Sequence, residues 1–342
     1  MMIQGSSAFA LAVLPIAAAL TALFILLLRP SLQRYALARP NARSSHREPT
    51  PQGAGIAVIG ATIAVVVGTA VFAPHLVQDP LQLSPIFACT IGLAAIGVTD
   101  DIRPLEASPR LLLQALAVAV MIAALPADLR IVSQLPWWFE RILMLLGGLW
   151  FVNLVNFMDG IDWMTVAEVI PVTAALALFG FMGALSESAT LVAIALCGAI
   201  IGFAPFNRPV ARLFLGDVGS LPIGLLLSWL LILLAGNGHL TSAILLPLYY
   251  LADATTTLIR RMVMGERITQ AHRSHFYQKA MDNGFSVYQI VGRVFAINVA
   301  LACLATITLV NQSRAIHIIV VLIGSLLVGI LLWNFARPPV KY

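Results

Sequence analysis

The sequence predicts an all-α protein, a polytopic bundle of transmembrane helices, and three observations lead to this fold class. Hydrophobic residues make up 60% of the 342 residues and charged residues only 10%, whereas soluble domains carry about a quarter charged residues. Apolar stretches of membrane-spanning length recur along the whole chain. Clusters of acidic, histidine and arginine residues fall at the ends of these stretches. The chain, residues 1–342, is therefore expected to form one integral membrane domain.

The apolar stretches predict about eleven crossing helices, with ten as the alternative. Two of them, 85–98 and 142–157, are short for a hydrocarbon core of about 30 Å. Their ends are expected to lie under neighbouring helices or to face a water-filled cleft. The first stretch lacks a basic start and a cleavage site, which favours a retained span over a signal peptide. The stretches cover 7–28, 53–73, 85–98, 109–125, 142–157, 165–184, 188–204, 219–235, 240–258, 289–311 and 315–335.

The basic residues predict the orientation in the membrane. Seventeen of the 20 lysines and arginines fall in alternate connections, and the other face keeps Arg130, Arg141 and Arg314. The positive-inside rule then places the N-terminus outside and the C-terminus in the cytoplasm. The inner connections are 29–52, 99–110, 204–219, 259–293 and the C-terminal tail.

Composition also excludes several classes of protein. Cys89, Cys197 and Cys303 each lie in an apolar stretch, without the spacing of a disulfide framework or a zinc knuckle. They are expected to be packing residues. The net charge of +5 comes without a basic stripe interleaved with aromatic residues, so nucleic acid is not an expected partner.

Two adjacent carboxylates end the third predicted helix, in the run Ile-Gly-Val-Thr-Asp-Asp-Ile-Arg at 96–103. Asp100 and Asp101 repel each other unless a proton or a cation lies between them. The pair therefore predicts catalysis or cation binding, and two solvated loop acids are the alternative.

The run Asn-Leu-Val-Asn-Phe-Met-Asp-Gly-Ile-Asp at 153–162 ends the fifth predicted helix. Spacings of three predict that Asn153, Asn156 and Asp159 lie along one helical face. Amides and carboxylates inside a membrane are costly without a partner. The asparagines are therefore candidate substrate ligands, and Asp159 and Asp162 are catalytic candidates. A seam of hydrogen bonds between helices is the alternative.

A glycine-rich turn, Phe-Leu-Gly-Asp-Val-Gly-Ser at 214–220, precedes a helix that is predicted to begin at Leu221. Its glycines and serine predict a nest for phosphate at the helix start. Asp217 is then placed to bind the metal that bridges such phosphates. A plain helix cap is the alternative.

Two further inner connections are basic. In the longest, Arg260 and Arg261 are followed by the run Ala-His-Arg-Ser-His at 271–275, and arginines of this kind bind phosphates bidentately. The first connection carries His46 and leads through glycines into a helix, which also suits an anionic ligand. A surface that rests on anionic lipid head groups is the alternative. The predicted substrate-binding residues here are His46, Arg260, Arg261, His272, Arg273 and His275.

These motifs, all on one predicted face, indicate phosphate chemistry with a hard divalent cation. Mg²⁺ takes oxygen ligands, commonly one or two carboxylates completed by water and substrate phosphates. Clustered thiolates are absent and histidines are few, which argues against zinc or iron.

Taken in order, the motifs resemble the polyprenyl-phosphate N-acetylhexosamine-1-phosphate transferases, a family also called glycosyltransferase family 4. The resemblance extends from the Pro-Asn-Ala-Arg run at 40–43 to His275. The short histidine run resembles that of relatives that start O-antigen or exopolysaccharide chains. One departure is Trp163, because the family commonly has glycine after the residue that matches Asp162.

The resemblance implies an enzyme that transfers a sugar 1-phosphate from a UDP-sugar to undecaprenyl phosphate or another polyprenyl phosphate and releases UMP. Mg²⁺ is the implied cofactor, and Mn²⁺ can substitute. The implied location is the bacterial inner membrane, in contact with its lipids, with the active site on the cytoplasmic face. A homodimer is a candidate assembly. N-acetylglucosamine, N-acetylgalactosamine and a 6-deoxy-N-acetyl sugar all stay open as the transferred group.

The resemblance also assigns roles. Asp100 and Asp101 match the family's Asp-Asp pair, and one of them would orient or deprotonate the lipid phosphate. Asp217 matches the Mg²⁺-binding turn, with Asp159 as a second candidate ligand. Asp253 matches an acidic helix that precedes the histidine run. Direct attack by the lipid phosphate and a two-step route through a covalent aspartyl intermediate both fit these residues.

The main alternative from another class is a secondary transporter that uses intramembrane acids for ion coupling. Such a protein would place its acids near mid-span in both halves, whereas the acids of this chain fall at helix ends. A CDP-alcohol phosphotransferase would need an Asp-Gly-x-x-Ala-Arg run. Here Asp159 and Gly160 are followed by Ile-Asp-Trp-Met.

Overall fold

A computed structural model describes residues 2–38, 49–74, 77, 80–266 and 272–338 of the protein. In these ranges the chain forms α-helices joined by short connections and one small antiparallel sheet, in which β1 (Leu37–Ala38) pairs with β2 (Thr50–Pro51). The helices are α1 (Met2–Tyr35), α2 (Gly55–Phe72), α3 (Pro80–Ile102), α4 (Ala107–Ala123), α5 (Trp137–Met158), α6 (Met164–Phe181), α7 (Glu187–Phe203), α8 (Asp217–Leu234), α9 (Leu240–Leu245), α10 (Leu248–Val263), α11 (Phe276–Asp282), α12 (Val287–Val310) and α13 (Arg314–Phe335).

Within the described ranges, eight helices are long and apolar enough to cross a membrane, and two more, Ala107–Ala123 and Glu187–Phe203, are apolar but shorter. This is the architecture of a multi-pass helical membrane protein, as predicted. The number of crossings and the orientation stay predictions. The eight are Ala12–Tyr35, Gly55–Phe72, Leu83–Ile102, Trp137–Met158, Met164–Phe181, Asp217–Leu245, Val287–Val310 and Arg314–Phe335.

Two stretches that were predicted to be short are full-length helices. The predicted stretches 85–98 and 142–157 lie inside α3, with 23 residues, and α5, with 22 residues. Hydropathy ends at the first polar residues, but the helices continue because these polar side chains have partners. At the start of α5, for example, Glu140 accepts hydrogen bonds from Arg130 Nε at 2.5 Å and from the backbone N–H of Val132 at 2.7 Å.

The predicted stretch 240–258 is not one helix. A π-helical turn, Ala235–His239, follows α8, and Gly238 within it has φ 91°, which interrupts the regular helix before α9. A second break at Leu246 and Pro247 separates α9 from α10. Proline at this point removes a backbone donor and ends the helical ladder. Ser242 of α9 bonds to Ala305 O of α12 at 3.0 Å.

Helix α8 lies at the centre of the bundle, in contact with α2, α3 and α5. Two glycines allow this close packing. A Cβ added to Gly97 of α3 would lie 2.3 Å from the backbone nitrogen of Val218, and one added to Gly224 of α8 would lie 2.8 Å from the Cα of Val152. The ends of α3 and α5 therefore come directly beside the start of α8.

Candidate active site

Polar side chains meet where one end of the bundle gathers several helix termini. The carboxyl ends of α3 and α5 lie beside the amino ends of α4, α6 and α8 at this point. At the opposite ends of α4 and α5, Arg130 of their connection bonds to Glu140, and Arg141 donates to the backbone carbonyls of Ile122 and Pro126. Most of the predicted site residues therefore share one end of the protein.

Asp101 caps the central helix α8. Its carboxylate accepts hydrogen bonds from the backbone N–H groups of Asp217 at 3.0 Å and Val218 at 3.2 Å. Gly216 has φ 77°, and a Cβ there would lie 2.5 Å from Asp101 Oδ2, so glycine is required for this approach.

This cap corrects two predictions for the glycine-rich turn. The helix begins at Asp217 rather than at Leu221, because Asp101 satisfies its first N–H groups. The backbone N–H groups of Gly219 and Ser220 bond to Gly216 O at 2.9 and 3.0 Å. The predicted phosphate nest is wrong as built, since these donors are already used within the protein.

Asp100 and Asp217 share a single arginine. Arg110 Nη1 donates to Asp100 Oδ2 at 2.5 Å and lies 3.8 Å from Asp217 Oδ2. The two carboxyl groups also interact directly with each other. Two carboxylates beside one guanidinium leave an excess of negative charge, which a proton or a cation would relieve.

Asn156 joins α5 to the start of α8. Its Nδ2 donates to Asp217 Oδ1 at 2.8 Å and to Ser220 Oγ at 2.9 Å. These bonds hold one oxygen of Asp217 in place, while its side chain remains 27% exposed. Asp217 is therefore both fixed and accessible, as a ligand-binding carboxylate must be.

The predicted common face of Asn153, Asn156 and Asp159 is divided in the structure. Asn153 Nδ2 bonds to Gln114 Oε1 of α4 at 2.9 Å, which is the alternative of a seam between helices. Asp159 lies beyond α5, which ends at Met158. Only Asn156 reaches the cluster around Asp217.

Asp159 accepts a hydrogen bond from the next helix, α6. Thr165 Oγ1 of α6 donates to Asp159 Oδ1 at 2.5 Å. Burial raises the pKa of the Asp159 carboxyl to about 7, and the neighbouring carboxylates of Asp101 and Asp162 add to this rise, whereas the Thr165 hydroxyl opposes it. Asp159 is therefore poised to change protonation near neutral pH.

Asp162 and Trp163 face the connection between α7 and α8, residues 204–216. Asp162 is only 5% exposed, and its Oδ2 accepts the backbone N–H of Ala211 at 2.9 Å. The indole of Trp163 donates to Ala204 O at 2.7 Å. The Trp163 ring is thus engaged with this connection.

Asp253 organises the histidine run. This fully buried carboxylate accepts the backbone N–H groups of Phe276 at 3.0 Å and Tyr277 at 3.2 Å, and it lies 3.3 Å from His275 Nδ1. It therefore caps α11 from a different helix. The Tyr277 hydroxyl donates to Phe157 O at 3.1 Å, which brings this unit to the end of α5.

Close packing and ring contacts also join the histidine run to the end of α5. A Cβ at Gly160 would lie 2.0 Å from the Tyr277 hydroxyl oxygen, so only glycine fits at that position. The rings of His272 and His275 are 5.0 Å apart, and the His275 ring is 6.4 Å from that of Phe157. The histidines therefore lie on the same end of the bundle as Asn156.

The remaining predicted residues are distributed around this run. Arg261 is buried and pairs with Glu266 at 2.7 Å, and this bond lowers the pKa of the Glu266 carboxyl. Arg273 pairs with Asp282 at 3.2 Å, and Arg260 is exposed. His46 lies outside the described residues.

The donor set suits a hard cation. Asp100 and Asp217 supply carboxylate oxygens beside each other, and Asp217 is accessible. Over the described part of the chain, no group of three histidine, cysteine or acidic side chains is arranged to hold a metal ion. A site with two carboxylates fits the coordination of Mg²⁺, which is usually completed by substrate phosphates and water.

Three contributors to the site were not predicted as site residues. Arg110 was counted only as a basic residue, although its position in the first turn of the helix after the Asp-Asp pair was a usable signal. Thr165 and Gln114 gave no signal, because each acts through a single side-chain contact that only the folded chain shows, Thr165 to Asp159 and Gln114 to Asn153.

The central part of the chain matches a known protein family. Residues 83–235 match the family described as glycosyl transferase family 4, and this segment contains Asp100, Asp101, Asn156, Asp159 and Asp217. The chain is 28% identical over 311 residues, 84% of each chain, to a probable undecaprenyl-phosphate N-acetylglucosaminyl 1-phosphate transferase of Bacillus subtilis.

Two other relatives are also named as phospho-sugar transferases. A phospho-N-acetylmuramoyl-pentapeptide-transferase of Moorella thermoacetica is 31% identical over 202 residues, which cover 54% of this chain and 61% of the relative. A decaprenyl-phosphate N-acetylglucosaminephosphotransferase of Mycobacterium leprae is 24% identical over 291 residues, which cover 75% of this chain and 72% of the relative.

Proposed function

The chain belongs to glycosyl transferase family 4, and we propose that it transfers an N-acetylated sugar 1-phosphate from a UDP-sugar to undecaprenyl phosphate. The products are undecaprenyl diphospho-sugar and UMP. The proposal places this reaction on the cytoplasmic face of the bacterial inner membrane, where it starts a cell-envelope polysaccharide of the O-antigen or exopolysaccharide kind.

The observation that carries the proposal is the cluster of Asp100, Asp217, Arg110 and Asn156 at one end of a membrane bundle. A lipid phosphate lies at the membrane interface, and a nucleotide sugar arrives from water. Both can reach helix ends, but neither phosphate can enter the apolar interior without a large desolvation cost. Charged groups at helix termini are therefore suited to bring these two anions together.

The proposal includes Mg²⁺, held by Asp217 and Asp100, with Asp159 as a further candidate ligand. The direct contact between two carboxylates, only partly neutralised by Arg110, supports a cation at this point. When bound, Mg²⁺ would neutralise charge on the diphosphate and on the leaving UMP. Mn²⁺, which accepts the same oxygen ligands, would substitute for it.

The transfer itself needs one bond change at phosphorus. An oxygen of the lipid phosphate forms a bond to the β-phosphorus of the UDP-sugar, and the bond from that phosphorus to the bridging oxygen breaks. UMP leaves with the bridging oxygen. Positioning and charge neutralisation account for most of the catalysis in such reactions.

The side chains of this protein supply those two effects. Arg110 lies where it can lower the charge between the carboxylates and an incoming phosphate. His272 and His275 face the end of α5 and can donate hydrogen bonds to phosphate oxygens. Arg260, exposed near Lys279, offers a bidentate donor to the nucleotide.

An apolar cavity supports a long isoprenoid acceptor. This cavity of about 320 Å³ lies between α5, α8, α9 and α10. Its lining is hydrophobic along most of its length and includes Gly147, Phe151 and Leu251. Along α5 the cavity extends from Glu140, at the opposite end of the bundle, to Phe151. A prenyl chain that fills it and continues along α5 past Phe151 would bring its phosphate to the polar cluster at Asn156.

A secondary transporter is not favoured. The acids Asp100, Asp101, Asp159 and Asp217 are tied to each other and to helix termini at one end of the bundle. Ion-coupled transport needs coupling sites near the membrane midplane instead.

The test is an assay of the purified protein with Mg²⁺, undecaprenyl phosphate and a panel of UDP-sugars, in which UMP release is measured. We expect UMP only when both the lipid and a matching UDP-sugar are present, and the matching sugar identifies the donor. Absence of lipid-dependent UMP with every sugar would overturn the proposal.

A further inference from the structure

Trp163 adopts a backbone conformation that is unusual for an aromatic residue. Its φ of 60° and ψ of 5° lie in the left-handed region, and it is the one non-glycine residue with positive φ in the described ranges. Glycine adopts this conformation without strain, whereas a bulky side chain does not. Such a strained residue persists when contacts around it favour it.

Those contacts all lead to the first half of the α7–α8 connection. The backbone N–H of Trp163 donates to Asn207 Oδ1 at 2.8 Å, and its indole Nε1 donates to Ala204 O at 2.7 Å. Asn207 in turn donates from Nδ2 to Leu213 O at 3.0 Å. Trp163 therefore bonds to the connection through both backbone and side chain.

Tyr288 of α12 contacts both Trp163 and the α7–α8 connection. Its ring meets the ring of Trp163 edge to face, with centroids 6.0 Å apart. Its hydroxyl donates to Pro209 O at 2.9 Å and accepts from Arg208 Nε at 3.2 Å. The same connection is thus held between α6 and α12.

Two pieces of the active site are joined by these contacts. Trp163 follows directly on the turn that carries Asp159 and Asp162, and Asp162 itself accepts the N–H of Ala211 in the connection. The connection then continues to Asp217 at the start of α8. A movement of residues 204–213 would therefore shift the acids of the turn relative to Asp217.

We propose that Trp163 is a positioning residue, which fixes the α7–α8 connection and so sets Asp159 and Asp162 relative to Asp217. This inference rests on the proposed function for its catalytic consequence. The contacts to Ala204, Asn207 and Tyr288, here named the Trp163 clamp, can be tested without any catalytic assay.

The test compares hydrogen exchange and kinetics in Trp163→Gly, Trp163→Phe and the wild type. In Trp163→Gly the backbone strain is relieved and the side-chain contacts of the clamp, to Ala204 and Tyr288, are lost, while the backbone bond to Asn207 can remain. We expect amide exchange of Ala211 and Arg212, both hydrogen-bonded in the structure, to accelerate about ten-fold or more. We expect kcat to fall about ten-fold or more, because small misplacements of reacting groups are costly.

Trp163→Phe keeps the ring beside Tyr288 and loses the bond to Ala204, so both effects should be smaller and in the same direction. Trp137→Phe is the matched control. Its indole also bonds to a backbone carbonyl, Ala127 O at 3.3 Å, but at the other end of the bundle. It should change neither exchange at residues 204–213 nor kcat.

Unchanged or slower exchange at residues 204–213 in Trp163→Gly would overturn the clamp. Faster exchange with unchanged kcat would overturn the positioning role. If the wild type itself shows no transfer, the proposed function fails, and the exchange result alone then supports or overturns the clamp.

Discussion

The carboxylate of Asp101 accepts the backbone N–H groups of Asp217 at 3.0 Å and Val218 at 3.2 Å, so it caps a helix that begins 116 residues later. Helix caps are usually supplied by the residue just before the helix. Here the cap comes from another helix, and it fixes the backbone of the residue that we propose as a metal ligand. The two aspartates of the Asp-Asp pair therefore have different partners. Asp101 accepts backbone N–H groups of α8, and Asp100 accepts a hydrogen bond from Arg110.

Asp101→Asn should weaken both the fold and the activity. An amide has one accepting oxygen and presents an NH₂ group to the second N–H, so we expect a loss of about 1 kcal/mol in unfolding free energy and at least a ten-fold fall in UMP release. Ser186→Ala is the control, since Ser186 Oγ caps α7 through Ala189 N at 3.2 Å. It should cost similar stability at full activity. Full activity in Asp101→Asn would show that the cap does not position Asp217.

Arg110→Gln should lower kcat and reduce the Mg²⁺ concentration needed for half-maximal activity. Arg110 Nη1 lies 2.5 Å from Asp100 and 3.8 Å from Asp217. Without this cation the two carboxylates attract Mg²⁺ more strongly, but an incoming phosphate loses a positive neighbour. Arg103→Gln removes an exposed arginine of the same connection and should leave both quantities nearly unchanged. If Arg110→Gln needed a higher Mg²⁺ concentration for half-maximal activity than the wild type, this geometry would be contradicted.

Asp159 should make stability depend on pH. Its pKa rises from an ordinary value of 3.8 to about 7 in the folded protein. Between these values the folded state keeps a proton that the unfolded state releases, so stability falls as pH rises through this window. Asp159→Asn removes that loss, and its stability relative to wild type should increase from pH 4 to pH 7 and then stay constant.

Thermal unfolding in detergent with EDTA measures this difference without a metal contribution. Thr165→Val provides a second variant, because the Thr165 hydroxyl lowers the pKa of Asp159. Loss of that hydroxyl should extend the window to higher pH. A difference between Asp159→Asn and wild type that does not vary with pH would show that the folded pKa is not raised.

Gly147→Leu should impair the use of long acceptors. Gly147 lines the apolar cavity, and a Cβ added there meets no atom within 4 Å, so leucine can extend into the open space. We expect a several-fold rise in KM for undecaprenyl phosphate and little change for a short-chain prenyl phosphate. Gly68→Leu, also in open space but in α2, is the control. An equal effect on both acceptors would argue against this cavity as the chain-binding site.

The fold could be predicted from local properties of the chain, and its interruptions could not. Apolar stretches mark the helices because burial in a membrane depends on composition over about 20 residues. The break at Pro247 between α9 and α10 lies inside a stretch that is apolar throughout, so hydropathy does not detect it. The polar first turn of α5 was missed for the opposite reason, because Glu140 has partners that only the folded chain supplies.

The clustering of the candidate site residues could be predicted from sequence, but their individual contacts could not. Acidic residues at helix ends were sufficient to predict the cluster that contains Asp100 and Asp217. Which carboxylate caps a helix and which pairs with Arg110 depends on contacts between distant helices. Asn153 illustrates this limit, since it shares the spacing of Asn156 but bonds to Gln114 instead.

The central claim is transfer of a sugar together with its phosphate, and the fate of the β-phosphate tests it most directly. The substrate that supported UMP release would be labelled with ³²P at the β-position and incubated with undecaprenyl phosphate and Mg²⁺. We predict that the label enters the organic-extractable lipid and that the released UMP is unlabelled. Asp217→Asn, folded as judged by thermal unfolding, should lose this transfer by a hundred-fold or more, roughly the scale for removal of a catalytic electrostatic contact. Labelled UDP as the product, or undiminished transfer in Asp217→Asn, would contradict the account.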